Sequence, residues 1–546
     1  MEMDKKEEEL KMDWALDREL KKKKKRRSDR PFTSDHYHRL AGVSLLNPFS
    51  NFAPPSPAMP EASTILQPTL FSPFSHGTHS VLTCRAFFRR NPTARCSKLQ
   101  ALPWGCDTYS LENASAFQKW LLDSGLPPQK MAIRRVDVGE RGLVALKSIR
   151  KGEKLLFVPP SLVITPNSEW SVPEAGRVLK SYDVPDWPLI ATYLISEASL
   201  MKSSRWNNYI SALPRQPYSL LYWTRSELDR YLEASQIRER AIERVNGVVG
   251  TYNDLRLRIF SKHPELFPEE LFNMDTFKWS FGILFSRLVR LPSMNGRVAL
   301  VPWADMLNHS CEVETFLDYD ESSQGIVFKT DRAYQPDEQV FISYGKKSNG
   351  ELLLSYGFVP REGTNPNDSV ELSVSINKSD KCYKEKLEIL QKHGLSTSER
   401  YPVQITGWPK ELMAYAYLAV SPPKMNRKFE EMAAAASNRT PSSKKGMIRY
   451  SEIEEDALQY ILDCCESAIS KYSKFLQANG EMDLDVTNPQ QLNRRVFLKQ
   501  LAMDLCTSER RILYRAQYIL RRKLRDIRSG ELRAFQIFNG LRNLFK

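Results

Sequence analysis

The residues best able to do chemistry lie in two short stretches in the second half of the chain. The first, Trp303–Ser310, follows the apolar run Val298–Val301 and ends in a polar Asn-His-Ser. The second, Phe341–Phe358, joins a strand-like piece to a polar turn, a short apolar segment and a Tyr-Gly-Phe. Buried ligand sites are lined in this way, by apolar residues with a few convergent polar groups. We therefore expect the active site where these two stretches meet.

Several kinds of catalytic site can be set aside. The chain has no Walker A motif, no strand-linked G-x-G-x-x-G and no H-E-x-x-H. His309 and Cys311 could suggest a thiol nucleophile with its base. At i and i+2, however, they would point apart on a helix, and no nearby residue evidently orients the histidine. We therefore do not expect a thiol–imidazole dyad.

What remains is a tyrosine, an aspartate and an Asn-His pair, together with a glycine turn on another strand. Such a set can hold a ligand and orient a nucleophile while supplying none itself, which suits group transfer from a reactive cofactor. A separate segment, Gly139-Glu140-Arg141-Gly142, is either an ordinary hairpin turn or a loop whose backbone lies against a ligand. Its spacing alone favours the turn.

The charge balance is basic, with 79 Lys and Arg against 65 Asp and Glu among 546 residues and a formal net charge of +14. Basicity predicts affinity for nucleic acid, an anionic membrane or an acidic protein, without choosing among them. From Arg494 to Lys546 there are 14 cations and four acids. A solvated helix face gives the same excess, so nucleic-acid binding is possible but not favoured.

The eight cysteines form no C-x-x-C pair and no ligand-like cluster. We therefore expect no metal site, no disulfide framework and a reducing compartment. No apolar run approaches the ~18 residues of a membrane span, so we expect a soluble protein that does not enter a membrane.

The first hundred residues have two compositions. Residues 1–58 form a charged extension that includes the run Lys21–Arg27, and its first 30 residues should not pack. From Met59 to Cys106 the chain is rich in Ser and Thr, poor in acids and increasingly Arg-bearing, as in a transit peptide. We infer that Met59 is the working start and that the protein enters the chloroplast stroma. The alternative is a tail of a nuclear or cytoplasmic protein, with Lys21–Arg27 as a nuclear localisation signal or RNA-binding segment.

The remaining sequence predicts an α+β fold. Strand-like segments occur over residues 131–160 and resume over 298–343, while about 175–290 has helical spacing. Strands that resume after a helical insert indicate one interrupted β-rich domain rather than a row of domains. Beyond about residue 375 the spacing is helical, which predicts an all-helical C-terminal domain over 375–546.

Four motifs, in this order, resemble those of SET-domain protein-lysine methyltransferases: Glu140–Ala145, Asp305–Ser310, Ser343–Tyr344 and Glu351–Phe358. The match is closest to the plant Rubisco large-subunit N-methyltransferases, spans about residues 110–530 and includes Ser286-Arg287. The chain lacks the cysteine-rich clusters of chromatin-type members. The resemblance implies a SET domain over 110–360, interrupted by the helical insert, and a helical substrate-binding domain after it.

The resemblance also implies S-adenosyl-L-methionine as the cofactor, no metal, and a role for each matching residue. The backbone of Gly139, Glu140 and Arg141 would embrace the cofactor, although the family usually has small or apolar residues in place of Glu140-Arg141. Arg287 would bind its carboxylate. Asn308 and His309 would contact its adenine and amino ends. The cofactor pocket would be lined by Tyr356, Gly357 and Phe358. Tyr344 would be the catalytic tyrosine, beside the transferring methyl group. Ser286 and Asp305 would sit by the incoming lysine. Asp305 and Tyr344 would also contact the cofactor. The substrate would also be contacted by Arg287, Tyr344 and Tyr356.

The resulting hypothesis is a monomeric protein-lysine methyltransferase of a plastid, with its protein substrate bound through the C-terminal domain. The resemblance suggests Rubisco large subunit or a sugar-phosphate aldolase as substrate. Two alternatives stay open. One keeps the chemistry but changes the target to a histone, another nuclear protein or a histidine. The other is a catalytically weak SET-fold binding module of a plastid assembly, whose basic C-terminal helices contact RNA or DNA.

Overall fold

The computed structural model describes residues 104–106, 111–136, 140–437, 450–479 and 489–544, with side chains of the last range described from 494 to 530. The expectations for residues 1–103 and for Gly139 lie outside the described residues.

The folded part begins earlier than the sequence predicted. Trp104 and Cys106 are buried, and the ring of Trp104 lies 5.6 Å from that of Trp279. The backbone N–H of Cys106 donates to the carbonyl oxygen of Leu213 at 2.9 Å. The assignment of the whole of 59–106 to a transit peptide, which would lie outside the fold, is therefore wrong at its end, because burial of the tryptophan ring ties these residues to the helical insert.

The SET part is built from short strands in several small sheets. They are β1 (Met131–Arg135), β2 (Arg141–Ala145), β3 (Lys154–Val158), β4 (Val289–Leu291), β5 (Arg297–Ala299), β6 (Asn308–His309), β7 (Asp318–Asp320), β8 (Gly325–Lys329) and β9 (Phe341–Ile342). Strands β1 and β2 form an antiparallel hairpin, β8 lies between β3 and β7, and β4 pairs with β5. Strands β6 and β9 pair in parallel. Except for β4, which begins at the end of the predicted insert, the strands fall in or next to the regions that the sequence predicted, on both sides of the insert.

Helices surround and interrupt these strands. Helix α1 (Ala114–Asp123) precedes β1, and the insert contains α2 (Pro173–Ser181), α3 (Asp186–Ser199), α4 (Asn207–Ala212), α5 (Arg225–Tyr231), α6 (Ile237–Arg258) and α7 (Met274–Arg287). The side chain of Asn273 caps α7 by accepting from the N–H groups of Asp275 and Thr276, both at 3.0 Å. The predicted helical insert is confirmed, and α7 delivers Ser286 and Arg287 at its C-terminal end.

The C-terminal part begins after α8 (Asn349–Tyr356) and is mainly helical. It contains α9 (Tyr383–Lys392), α10 (Lys410–Val420), α11 (Phe429–Ala436), α12 (Glu454–Asn479) and α13 (Pro489–Leu544). Two antiparallel strands, β10 (Ser369–Ser375) and β11 (Ser398–Gln404), are an addition that the prediction of an all-helical domain lacked. Their apolar residues alternate, and Val370, Leu372 and Val374 are buried. That period-two pattern is a strand signal.

The described residues form two hydrophobic cores. One is shared by the strands of the SET part and most of the insert. The other lies in the C-terminal part but also includes residues of α5, the start of α6 and α8. The insert and α8 therefore join the two parts through shared buried side chains.

Candidate active site

The parallel pairing of β6 and β9 brings the two predicted stretches together. Asn308 lies opposite Phe341 and His309 opposite Ile342, so the residues that follow each strand lie side by side. The backbone N–H of Tyr344 donates to Nδ1 of His309 at 3.1 Å, and the two rings stack with centroids 5.2 Å apart. Burial lowers the pKa of His309, which together with an acceptor role for Nδ1 favours the neutral imidazole.

Tyr344 is the centre of an aromatic cluster. Its ring stacks on Tyr356 with centroids 4.5 Å apart, and Phe358 lies 6.1 Å from His309 and 6.3 Å from Tyr356. The hydroxyl of Tyr344 donates to the carbonyl oxygen of Leu307 at 2.8 Å. Burial raises the pKa of both Tyr344 and Tyr356 above the ordinary range, so each hydroxyl stays protonated.

Gly357 sets the direction of the chain between Tyr356 and Phe358. It ends α8 with a φ of +82°, and its N–H donates to the carbonyl oxygens of Leu352 and Leu353. A Cβ at this position would lie 2.5 Å from backbone atoms of Tyr218. Only glycine fits this left-handed turn without displacing the neighbouring chain.

Asp305 and Arg287 form a buried ion pair behind Tyr344. Nη1 of Arg287 lies 3.2 Å from Oδ2 of Asp305 and donates to the Asp305 carbonyl oxygen at 2.7 Å. The hydroxyl of Tyr209 donates to the same Oδ2 at 2.8 Å. Burial raises the pKa of Asp305 and is opposed by Arg287 and Tyr209. The Asp305 side chain is 1 % exposed.

The turn that carries Asp305 is strained. Trp303, which is fully buried, has a φ of +78°, a region that bulky side chains rarely adopt. The short turn Ala304–Met306 follows directly. Strained backbone tends to persist where the surroundings hold it for a functional purpose. Here the turn places Asp305 against Arg287 and the Leu307 carbonyl against Tyr344.

Asn308 joins this centre to the β1–β2 hairpin. Its Nδ2 donates to the carbonyl oxygen of Arg141 at 3.1 Å. A Cβ on Gly142 would lie 2.9 Å from that nitrogen and 2.5 Å from Nε2 of Gln339. Gly142 is therefore the glycine that allows the hairpin to pack on Asn308.

Glu140 lies directly before β2 and Arg141 begins it, and the Glu140 carboxylate is near enough to contribute to the raised pKa of Tyr344. Glu140 is exposed, and its carbonyl oxygen accepts from Val136 N–H at 2.6 Å, which closes a hairpin loop. The buried Arg141 guanidinium donates to the sulfur of Cys106 at 3.2 Å and to the Ala212 carbonyl oxygen. The side chain of Glu140 is thus exposed, whereas that of Arg141 is held inside the fold.

Ser286 lies at the end of α7, beside Arg287. Its hydroxyl donates to the carbonyl oxygen of Gly282 at 2.9 Å, one turn earlier in the same helix. The side chain is half-buried, so its oxygen can accept a bond while the proton stays on the helix.

The prediction that His309 and Cys311 point apart is wrong, because they do not lie on a helix. His309 is the last residue of β6, Cys311 lies two residues later, and its sulfur lies 3.4 Å from Nε2. The histidine is also oriented, by Tyr344. Burial nevertheless raises the pKa of Cys311 and lowers that of His309, so neither group is poised to form a thiolate–imidazolium pair.

Comparison with known proteins identifies the fold that holds this site. A SET domain model matches residues 140–345, and the Rubisco LSMT substrate-binding model matches residues 377–513. The chain therefore combines a SET domain with a Rubisco LSMT-type substrate-binding domain. The predicted fold class, enzyme class and cofactor, S-adenosyl-L-methionine, are confirmed.

The methyltransferase has curated relatives in plants. It is 27% identical over 430 residues to the chloroplastic ribulose-1,5-bisphosphate carboxylase/oxygenase large subunit N-methyltransferase of Nicotiana tabacum, covering 76% of this chain and 83% of the relative. It is 31% identical over 304 residues to the chloroplastic fructose-bisphosphate aldolase-lysine N-methyltransferase of Arabidopsis thaliana, covering 54% of this chain and 61% of the relative.

A solved structure, described as Rubisco LSMT bound to AdoMet, aligns with this methyltransferase at a TM-score of 0.59 and 26% identity. The alignment covers 76% of this chain and 93% of that one. The likeness therefore extends over both the SET part and the C-terminal part.

The polar atoms of the site fit a charged, polar cofactor. Among the described residues, Nε of Arg287 and Oδ1 of Asp305 are buried without a hydrogen-bond partner. Buried polar atoms are rarely left unpaired, and those that are call for a ligand or water. A zwitterionic amino-acid group would supply partners for both.

Sequence reasoning missed Tyr209. This buried residue lies in α4 of the insert, 96 positions before Asp305, and its hydroxyl holds the carboxylate. Its neighbours, Asn207–Ala212, read as an ordinary amphipathic segment, so no local signal marks it. Gly142 was read as part of a motif, and its contact with Asn308 could not have been inferred from spacing.

Away from this cluster, a cleft lies between α6, α8, β10, β11 and α13. It is lined by Arg240, Glu351, Glu371 and Glu509 among others, and none of the predicted site residues lines it. Arg240 pairs with Glu371 at 3.1 Å. We assign the active site to the Tyr344 cluster because the matched motifs, the unpaired polar atoms and the strained turn coincide there.

Neither a metal-binding cluster nor a membrane-spanning helix occurs among the described residues. No group of three or more His, Cys, Asp or Glu side chains in that part of the chain is arranged to hold a metal ion. No helix within the described ranges is long and apolar enough to cross a membrane.

Proposed function

We propose that this methyltransferase modifies a lysine of a soluble plastid protein, with Tyr344 acting at the reacting methyl group. The observation that carries the proposal is the Tyr344 hydroxyl, which is half-buried, protonated and bonded to the Leu307 carbonyl oxygen beside the Asp305–Arg287 pair. This hydroxyl donates its proton to the Leu307 carbonyl oxygen, so the lone pairs of the hydroxyl oxygen can face a positively charged group.

S-adenosyl-L-methionine, when bound, supplies an electrophilic methyl group on a sulfonium. Arg287 would hold its carboxylate through the unpaired Nε, and Asp305 would hold its ammonium through the unpaired Oδ1. Asn308 and His309 would contact the adenine side, with Tyr356, Gly357 and Phe358 along the pocket wall. The backbone of Gly139, Glu140 and Arg141 would complete the enclosure.

The remaining work of the protein is alignment and desolvation. In-line transfer requires the amine within ~3–3.5 Å of the carbon that it attacks. The amine must also arrive uncharged, because an ammonium has no lone pair. The rings of Tyr344, Tyr356 and Phe358 form an apolar wall that lowers the pKa of a lysine placed against them. Ser286, Asp305 and Arg287 would position that lysine.

The C-terminal part would select the protein substrate. Its match to a substrate-binding domain over 377–513 supports this, and the names of the curated relatives support a chloroplast location and a substrate such as Rubisco large subunit or aldolase. The composition of residues 59–103 adds to the case for the stroma. We expect the enzyme to act as a monomer.

The test is methyl transfer into a soluble chloroplast extract. The full chain, incubated with methyl-labelled S-adenosyl-L-methionine, should label a discrete stromal protein on lysine, and the Tyr344→Phe variant should not. Mass spectrometry of the labelled peptide identifies the modified residue. Label on histidine, or label in nuclear but not chloroplast extract, would replace this proposal with one of the alternatives. Equal labelling by the parent and the variant would refute the role of Tyr344.

A further inference from the structure

Helix α13 carries an exposed stripe of tyrosine and arginine side chains, which we call the Tyr–Arg stripe: Tyr514, Arg515, Tyr518, Arg522 and Arg525. The spacings of three and four residues place them on one face of the helix. At ~1.5 Å per residue the stripe is about 16 Å long. Tyr514 and Tyr518 are 47% and 42% exposed, which is high for aromatic side chains.

The charge around the stripe is strongly positive. From Arg510 to Gly530 the helix has eight cations and one acid, Asp526. Within the described residues, no acidic side chain pairs with Arg515, Arg522 or Arg525. These arginines are exposed. They therefore present charge to solvent that nothing in the described part of the molecule neutralises.

The neighbouring face of the same helix has a different role. Arg521 pairs with Glu466 at 2.8 Å and Arg528 with Glu455 at 2.6 Å, so these two cations hold α13 to α12. Arg521 and Arg528 lie three residues after Tyr518 and Arg525, at one edge of the stripe, which we call the paired face. Their acidic partners distinguish them from the arginines of the stripe.

The tyrosine rings are also held in place. The guanidinium of Arg510 lies 5.9 Å from the ring centre of Tyr514, and that of Arg515 lies 5.5 Å from that of Tyr518. A ring steadied from one side by a cation makes a flat platform for a stacked base. Cations on the same face can meet phosphates of the strand that carries those bases.

From this arrangement we propose that the Tyr–Arg stripe binds single-stranded RNA. Arg522 and Arg525 contact phosphates, and Tyr514 and Tyr518 stack on bases. The matched substrate-binding domain ends at residue 513, immediately before the stripe. The proposal therefore does not rest on the methyl-transfer site or on the matched substrate-binding domain.

The test is fluorescence anisotropy with a labelled single-stranded RNA of mixed sequence, longer than about 16 nucleotides so that it exceeds a typical single site. Every protein compared is the full chain in which Lys21–Arg27 has been replaced by uncharged residues, so that this run does not dominate binding. Stacking of one base contributes ~1–3 kcal/mol, so Tyr514→Ala/Tyr518→Ala should weaken binding at least tenfold. Tyr514→Phe/Tyr518→Phe should bind like the parent, because phenylalanine keeps the ring.

Arginine variants test the phosphate contacts with a matched control. Each lost contact to a single strand lowers the slope of log affinity against log salt by ~0.7, so Arg522→Gln/Arg525→Gln should lower it by about 1.4. Arg521→Gln/Arg528→Gln removes the same charge from the paired face and should leave affinity and slope near those of the parent.

Three results would overturn the proposal. The first is a Tyr514→Ala/Tyr518→Ala variant that binds RNA like the parent. The second is a control pair that is as damaging as the stripe pair. The third is poly-glutamate that displaces the RNA as well as unlabelled RNA does, since the stripe would then recognise acidic protein by charge alone. Circular dichroism of each variant confirms that α13 remains folded.

Discussion

Asp305 and Glu509 are both buried carboxylates, and each accepts a hydrogen bond from a buried tyrosine. Asp305 accepts from Tyr209 at 2.8 Å, and Glu509 accepts from Tyr472 at 2.9 Å. The difference is the cation. Arg287 lies 3.2 Å from Asp305, whereas the second partner of Glu509 is the neutral hydroxyl of Ser235 at 3.0 Å.

The surroundings of Glu509 make it a neutral group. Burial, helped by the carboxylates of Asp368 and Glu371, raises its pKa to about 8 against the opposing effect of its two hydrogen bonds. It links Ser235 of the insert to α12 and α13, so its hydrogen bonds join the SET part to the C-terminal part. Asp305 keeps an ion pair because Arg287 compensates in part for burial. Two buried carboxylates that each accept from a tyrosine therefore differ in charge. Asp305, beside Arg287, is charged in the candidate active site, whereas Glu509 is neutral where the two parts meet.

The largest expected effect comes from removing the cation that distinguishes the two sites. Arg287→Met should cost ~3–5 kcal/mol of unfolding free energy near pH 8, because Asp305 is left buried and unpaired. The loss should shrink at pH 5, where Asp305 can take up a proton. Urea unfolding at both pH values measures the change.

The control for this prediction is the double variant Arg287→Met/Asp305→Asn. It removes both charges and should regain most of the stability, though not the binding of S-adenosyl-L-methionine. A double variant no more stable than Arg287→Met would contradict the assignment of a buried ion pair.

The next largest effect concerns how the contribution of Glu509 to the free energy of unfolding depends on pH. Its pKa in the folded protein is above the ordinary value, so its contribution to stability is complete below the ordinary pKa and is lost as pH rises toward 8. Glu509→Gln removes this pH-dependent contribution to stability. The stability of the variant relative to the parent should therefore rise by roughly 2 kcal/mol between pH 6 and pH 8. Parallel stability curves for the two proteins would show that Glu509 is not protonated in the folded state.

The smallest effect compares the two tyrosine donors directly. Tyr209→Phe removes a hydrogen bond to a charged acceptor, worth ~1.5–3 kcal/mol, and Tyr472→Phe removes one to a neutral acceptor, worth ~0.5–1.5 kcal/mol. Denaturant unfolding should therefore show the larger loss for Tyr209→Phe. Only Tyr209→Phe should also change kcat. Equal losses with unchanged turnover in both variants would mean that the two carboxylates carry the same charge.

Much of the site could be predicted from the sequence because the chemistry-bearing residues are clustered in short motifs. Asn308, His309 and Tyr344 lie together, as expected, since two neighbouring strands position them. The interrupted β-rich domain was also readable, from strands that resume after helical spacing. The pair β10 and β11 was missed although Ser369–Ser375 alternates clearly, because the helical sequence beyond it dominated the interpretation.

The remaining features depend on contacts between distant parts of the chain. Tyr209 reaches Asp305 across 96 positions, and Ser235 reaches Glu509 across 274. Helical spacing shows that a residue is buried but not which side chain it meets. The His309–Cys311 contact was misjudged for a local reason, since the helix assumed there is a strand followed by a turn.

The measurement that tests the account most directly is calorimetry of S-adenosyl-L-methionine binding to the parent chain, Asn308→Ala and Tyr344→Phe. The account predicts micromolar binding by the parent, loss of binding in Asn308→Ala, and nearly unchanged binding in Tyr344→Phe together with loss of methyl transfer. Asn308 bonds to the hairpin backbone that we propose encloses the cofactor, whereas we propose that the Tyr344 hydroxyl acts only on the reacting group. No binding by the parent, or full methyl transfer by Tyr344→Phe, would contradict the assignment of this centre as the active site.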